Sequence, residues 1–325
     1  RVIVDSIASG TSEINVPYSF ERARFTASGS YQLFDDLRLS AGFDRKETDR
    51  DFQEVAEQTE DSSWGRARWR PADWLDISLK GGTSRRDIDR YDESVAVSLG
   101  QNPLLRKYNL AYRYRESAEI TIAATPADWP LSTTIWAMCA DDSYSQSQLG
   151  ITESRNSHVS IDLNWAINDD LSLYFTAGGE SISADQLGSD SFSVADWTAF
   201  HRDSFEHFGG GLTLRNIGDR TALSIDYYRT RGDTDIRIAR TGMSASDFPE
   251  IDADLESLRL SLRYQRSERM DIDLSFRYES FVTSDWAIAG VDPGTIPVVL
   301  TLGADPYDYG VWVFGASFHY LVGGR

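Results

Sequence analysis

LRLSLRYQRSERMDIDLSFRYESF, residues Leu258–Phe281, repeats one pattern on either side of a short break. Leu258, Leu260, Leu262 and Tyr264 alternate with Arg259, Ser261, Arg263 and Gln265. After Ser267-Glu268-Arg269, Ile272, Leu274, Phe276 and Tyr278 alternate with Asp273, Ser275, Arg277 and Glu279. Successive side chains of a strand point to opposite faces, so each half has one apolar face and one charged face. A soluble sandwich and a membrane barrel share this property and differ in which face is inside.

The rest of the chain repeats the pattern. Phe25, Ala27, Gly29, Tyr31 and Leu33 alternate with polar residues, as do Leu37, Leu39, Ala41 and Phe43, and then Val159, Ile161, Leu163 and Trp165. Similar segments lie near 62–70, 74–82, 114–125, 131–140, 205–215, 221–231 and 307–322. The reading is an all-β chain of roughly 13 strands with almost no helical periodicity. The connections alternate between two kinds. Tight turns such as Phe34-Asp35-Asp36, Arg70-Pro71-Ala72-Asp73, Asn168-Asp169-Asp170 and Gly218-Asp219-Arg220 are rich in residues that set φ or bond their own backbone. The other connections read as long acidic loops, around 47–62, 90–104, 184–202 and 235–252. Short turns at one end and long loops at the other are the signature of a transmembrane up-and-down antiparallel β-barrel, whereas a sandwich mixes loop lengths and uses Greek-key crossings. Pro71-Ala72-Asp73-Trp74 recurs as Pro126-Ala127-Asp128-Trp129, which puts a Trp beside a short turn where a membrane–water boundary suits it.

Bulk properties narrow the function. The 325 residues are 41% hydrophobic and 26% charged, with a net charge of -19, which disfavours nucleic acid as a partner. A mean hydropathy of -0.40 looks soluble but is compatible with a barrel, which shows lipid only every second residue. No apolar run reaches the ~18 residues a transmembrane helix needs. No signal peptide opens the sequence, so residue 1 reads as a mature terminus or an internal position. Cys139 is the single cysteine, which excludes an intrachain disulfide and a Cys-rich metal site; it shares a face with Leu131 and Ile135. His158, His201, His207 and His319 lack metal-ligand spacing. Phe208-Gly209-Gly210-Gly211 lacks the Lys-Ser/Thr and helix of a phosphate loop and suits a strand bend or a close approach to a lumen occupant. Asp49, Asp51, Glu54, Glu57, Glu60 and Asp61 suit Ca²⁺ by chemistry but not by EF-hand spacing, and read as a solvated loop. No catalytic constellation emerges, so the chain is not expected to be an enzyme. The expected orientation puts Leu258, Leu260, Leu262, Ile272, Leu274 and Phe276 in lipid. Arg259, Arg263, Asp273, Arg277 and Glu279 then line the lumen as candidates for partner contact. With the short turns periplasmic, an odd strand count puts residues 1–17 on the extracellular side, and 18–325 read as the C-terminal part of a larger barrel.

Several stretches point further. VDPGTIPVVLTLGADPYDYGVWVFGASFHY, preceded by SDWAIAG, together with EVAEQTEDSSWGRARWRPADWLDISL, NPLLRKYNLAYRYRE, DDSYSQSQLGIT and SFSVADWTAFHRD, resembles the MtrB/PioB family of decahaem-cytochrome-associated outer-membrane barrel proteins. These stretches keep the family's order and span nearly the whole chain from Pro17 onward. The ending Leu-Val-Gly-Gly-Arg departs from the family's usual terminal aromatic, and the family's N-terminal half is not present. The resemblance implies a bacterial outer-membrane sheath that holds a periplasmic multihaem c-type cytochrome across the membrane, so that electrons pass to or from an extracellular partner such as a second multihaem cytochrome. With no Cys-x-x-Cys-His, this chain carries no c-type haem, so the haem is expected on the partner. The strand pattern alone fits a diffusion porin or other transport barrel equally well.

Overall fold

Tight turns set the register of one large sheet. The computed structural model describes residues 19–51, 53–98, 100–218, 220–243, 245–286, 289 and 308–322, with the backbone of 3–4 and 13–14. Strands β1 (Phe20–Phe34), β2 (Leu37–Arg50), β3 (Glu57–Ala72) and β4 (Leu75–Ile88) precede a six-residue helix, Glu93–Ser98. Then come β5 (Arg113–Ala124), β6 (Leu131–Ser143), β7 (Gly150–Ala166) and β8 (Leu171–Gly188). The last five are β9 (Trp197–Ile217), β10 (Thr221–Arg240), β11 (Ile251–Ser267), β12 (Met270–Ser284) and β13 (Tyr309–Tyr320). Each pairs antiparallel with its sequence neighbour in a 14-stranded sheet, whose remaining member, Ser246–Asp247, pairs with β10. The all-β meander agrees with the sequence pattern. Residues 1–17, Asp219, most of the 287–307 segment and 323–325 fall outside the described residues, apart from a short pairing of Ile3–Val4 with Glu13–Ile14.

Loop lengths differ from expectation. Residues 47–50 and 57–62 belong to β2 and β3, which leaves only 51–56 as the connection. Likewise β8 runs to Gly188 and β9 starts at Trp197, while β10 runs to Arg240. Charge did not end these strands because it is paired across them: Arg45 donates to both Asp61 oxygens at 2.8 Å, and Arg229 bonds Asp254. The helix at Glu93–Ser98 lies within the region read as a plain loop at 90–104.

Register assigns every strand residue to one of two faces. Leu131, Trp165, Leu173, Leu212, Ile225, Leu260, Phe276 and Phe314 form one cross-strand row. One residue further along, Ser172, Thr213, Ser224, Ser261, Ser275 and Gly315 form a row on the opposite face. The apolar face is tied by ring contacts, Phe276 to Phe314 at 5.0 Å and Tyr278 to Trp312 at 4.4 Å, each worth about 0.5–1.5 kcal/mol. Trp69, Trp74, Trp129 and Trp165 stand exposed on or beside the short-turn ends. Register shifts sit at four of those turns, at Gln32/Phe34, Trp69/Ala72, Leu214/Ile217 and Gln265/Ser267. Bulges bend a strand and raise its twist, which helps a sheet curl.

The buried core is small and lies at the long-loop end. Val55, Leu110, Ala111, Tyr144, Leu149 and Ala140 are almost fully covered there. A sheet with so little conventional core must bury its apolar face in another medium. Its seven-residue alternating stretches, such as Leu258–Tyr264, rise about 20 Å along the strand, which at a barrel's tilt of about 40° spans roughly 15 Å of a lipid band about 25 Å tall.

Candidate functional site

The face opposite the apolar rows holds the candidate site, and because hydrocarbon rejects it, it is the inner wall. All five charged residues singled out in β11 and β12 lie on it. Arg263 contacts Asp271 at 2.5 Å and reaches Asp273 at 3.9 Å, while His319 from β13 sits 3.2 Å from the same Asp273. Arg277 bonds Glu279, which also accepts from the Tyr309 hydroxyl at 2.9 Å. Arg259 stands in register between Asp226 and Arg277. The structure therefore brings these residues together as two small clusters, with Arg259 beside them.

The wall has features the sequence pattern did not expose. Four of its rings, Trp64, Tyr174, His207 and Tyr228, lie against glycines of the neighbouring strand. A Cβ built on Gly42 would fall 2.5 Å from the Trp64 ring, and one on Gly211 would fall 2.5 Å from Tyr174. Gly209 is covered by Tyr228 and Gly178 by His207, each at 2.6 Å. Hydrogen bonds hold two of these rings: Trp64 Nε1 donates to Asp44 at 3.3 Å, and the Tyr174 hydroxyl donates to Asp226 at 2.8 Å. The Gly209–Gly211 run is thus a close-approach site, but for rings of this chain. The short connection between β9 and β10 could have exposed only the Gly209–Tyr228 pairing; the Gly211–Tyr174 and Gly178–His207 pairings lie across the longer 189–196 connection, whose register the sequence does not fix.

Above the apolar band, on the same face, a buried ionic cluster ties the wall to the 89–112 segment. Glu60 accepts from Arg113 at 2.6 Å, from Ser84 at 2.9 Å and from Arg86 at 3.4 Å. Arg115 bonds both oxygens of Asp142 at 2.6 Å, and Arg86 also donates to the Tyr108 carbonyl at 3.0 Å. Lys107 bonds the buried Glu54, and the Arg106 guanidinium lies 4.4 Å from the Tyr91 ring centre. These pairs fold the segment back onto the inner wall. The carboxylates once grouped as a Ca²⁺ candidate are dispersed: Glu54 meets Lys107, Glu60 meets two arginines, and Asp61 turns to the outer face with Arg45. Among the described residues no group of three or more His, Cys, Asp or Glu could hold a metal ion. His158 instead packs against Trp136 at 4.7 Å, and His207 lies 6.1 Å from both Phe205 and Tyr228.

Long antiparallel strands joined in sequence order, an apolar outer face and a charged inner wall define an outer-membrane β-barrel protein. The family model described as "Putative outer membrane beta-barrel porin, MtrB/PioB" matches residues 1–322, and the chain belongs to that family. It is 27% identical over 317 residues to the "Outer membrane protein MtrB" of Shewanella baltica (strain OS185), a match covering 97% of this chain and 45% of that protein. The chain thus spans less than half the length of this relative. Among solved structures it is similar to the siderophore receptor PiuA of Acinetobacter baumannii, with 10% identity, a TM-score of 0.44, and coverage of 82% of this chain and 57% of that one. The ferric yersiniabactin uptake receptor FyuA of Yersinia pestis gives 9%, 0.42, 81% and 53% on the same measures.

Proposed function

We propose that this outer-membrane barrel sheathes and positions a multihaem c-type cytochrome, so that electrons cross the outer membrane through the partner's haems. The observation that carries the reading is the inner wall, which is polar yet has four bulky rings laid flat against glycines, so that they project little into the space a large occupant would fill. Family membership supports it, through the resemblance drawn from the sequence. Hydrocarbon cannot solvate haem propionates or a cytochrome's polar surface, so such a chain of haems needs a wall that is apolar outside and polar inside. This chain contributes no reacting group to that process. Its role is to exclude lipid, fix the partner's position and limit solvent access, which tunes haem potential.

The sheet edges bear on the same proposal. Strands β1 and β13 each have one side unpaired by any described strand. Thirteen alternating strands leave these two running in the same sense, so pairing them directly would make a parallel contact. All-antiparallel closure needs an odd number of further strands, and we read residues 18–325 as the C-terminal part of that larger barrel.

A diffusion porin is the second reading, favoured by the word "porin" in the family description. Purifying the complex from native outer membranes and recording its haem absorbance separates the two. The sheath predicts about one haem protein per barrel, since a closed barrel admits one lumen occupant. An ion-conducting barrel without haem would establish the porin.

A further inference from the structure

The inner wall is not electrically uniform. On β6 to β10 the charged residues at the level of the lipid band are Asp162, Glu180 and Asp226. On β2 to β4 the balance is reversed, although the whole chain carries -19. Arg38 stands directly opposite Arg68, and Arg66 directly opposite Lys80. Like charges facing each other across a ladder destabilise it, so two such pairs on one patch mark a site of net positive potential. Carboxylates within the patch offset only part of it. Asp76 takes both Arg68, at 2.5 Å, and Arg70, at 2.8 Å. Among the described residues Arg38 bonds the neutral Gln32, at 3.1 Å, and makes no ion pair. Arg66 and Lys80 make no ion pair among the described residues; each lies 5.9 Å from the centre of the Trp64 ring. Glu119 stands opposite Lys80 in the ladder without closing to an ion pair. Toward the short turns the patch opens into a shallow concavity of about 170 Å³, lined by Gln32, Asp35, Asp36, Arg38, Arg68 and Arg70.

We propose that this basic sector is a docking surface for a carboxylate-rich face of the protein held in the lumen, with Arg38, Arg66 and Lys80 as its contact residues. The inference rests on the sheath reading above and adds which side of the occupant meets which part of the wall. Guanidinium groups pair carboxylates bidentately and from a fixed geometry, which suits registration of a large partner. The sector on β6 to β10, one strand away in the sheet order and carrying only carboxylates at that level among the described residues, repels the same face. Together they orient the occupant about the barrel axis as well as hold it.

The test uses the native outer-membrane complex, with haem absorbance per barrel followed across increasing salt. Three double variants are compared with wild type: R66E/K80E, R66Q/K80Q and the charge-conserving R66K/K80R. Heat-modifiable migration reports barrel assembly for each. Reversal should lower haem-protein retention at low salt by on the order of tenfold or more. The Gln pair should lose it at a lower salt concentration than wild type, and R66K/K80R should match wild type. If the reversed barrel fails to assemble, the Gln and charge-conserving pairs still decide. Equal retention and equal salt dependence in all variants overturns the docking surface and leaves the sheath standing. A wild-type barrel without haem protein overturns both. Anion-selective conductance that R66E/K80E inverts makes the patch a solute filter and also overturns the proposal.

Discussion

Replacing Leu260 with Arg and, separately, Ser261 with Arg tests the assignment of faces with a one-residue offset. Leu260 lies between Ile225 and Phe276 in an apolar row that continues to Leu131 on one side and Phe314 on the other. Ser261 lies between Ser224 and Ser275 on the opposite face. An Arg on the lipid side near the bilayer midplane costs about 2–4 kcal/mol. An Arg at position 261 enters a wet face and meets Arg259 and Arg263 along the same strand, a like-charge penalty of about 0.2–1 kcal/mol. The two variants should therefore differ by about 1–3 kcal/mol, which is roughly fivefold to a hundredfold or more in the folding equilibrium. The measurement is reversible urea titration of the full polypeptide in phospholipid vesicles, read by heat-modifiable migration and tryptophan emission. Equal costs, or a larger cost at Ser261, would refute the assignment of the leucine face to lipid.

Two further outcomes follow from local geometry. Gly211→Ala should cost about 1–3 kcal/mol in the same titration, because its Cβ would lie 2.7 Å from the Ile225 carbonyl, which is backbone and cannot swing away. Gly65→Ala, where nothing lies within 4 Å, should be neutral or slightly stabilising. In the 189–196 connection, the Asp196 carboxylate is held below its ordinary range by the Asp190 amide and then by the Ser191 hydroxyl and amide. A depressed carboxylate contributes order that is present above its ordinary value near 3.8 and lost as pH falls through the lower, folded value. Hydrogen exchange at Asp190 and Ser191 should therefore stay protected at neutral pH and speed up, after correction for intrinsic rates, only in strong acid. Asp196→Asn should show the faster exchange already at pH 7.

Period-2 alternation survives in a single sequence because the faces of the sheet meet different solvents, so the strands, their order and the tight turns were all legible. Strand ends were not. Residues such as Arg45, Glu60 and Asp61 look like a solvated loop when read singly, and only register shows that Arg45 meets Asp61 on one face while Glu60 meets Arg86 on the other. The small core at the long-loop end was hidden for a related reason. Val55, Leu110 and the pair Tyr144 and Leu149 come from three separate connections, and no local period links them. Of the site, the charged inner positions of β11 and β12 could be read directly, because their apolar partners alternate without interruption. The basic sector on β2 to β4 could not, since Arg38 meets Arg68 only through the β2–β3 register, which the 51–56 connection does not fix. The net charge of -19 pointed the other way.

A wall that only has to pass water and small solutes and a wall that has to hold a protein differ in what they ask of their large side chains. Projecting rings and charges narrow a pore and give it selectivity, so a diffusion channel gains from bulk on its inner face. Here four of the large inner rings do the opposite. Trp64, Tyr174, His207 and Tyr228 lie against Gly42, Gly211, Gly178 and Gly209, keeping the wall shallow where they occur. Each glycine inside a strand costs about 0.5–1 kcal/mol relative to alanine. Ring contact with the bare backbone offsets part of that cost, as aromatic cover does for strand glycines generally. What remains is a recurring expense that keeps the wall shallow, as the proposed sheath requires. The ionic cluster around Glu60 and Arg113 then folds the 89–112 segment back over the same wall toward the long-loop end. The inner wall is thus shallow along the lipid band and covered by the 89–112 segment above it, which fits the proposed sheath.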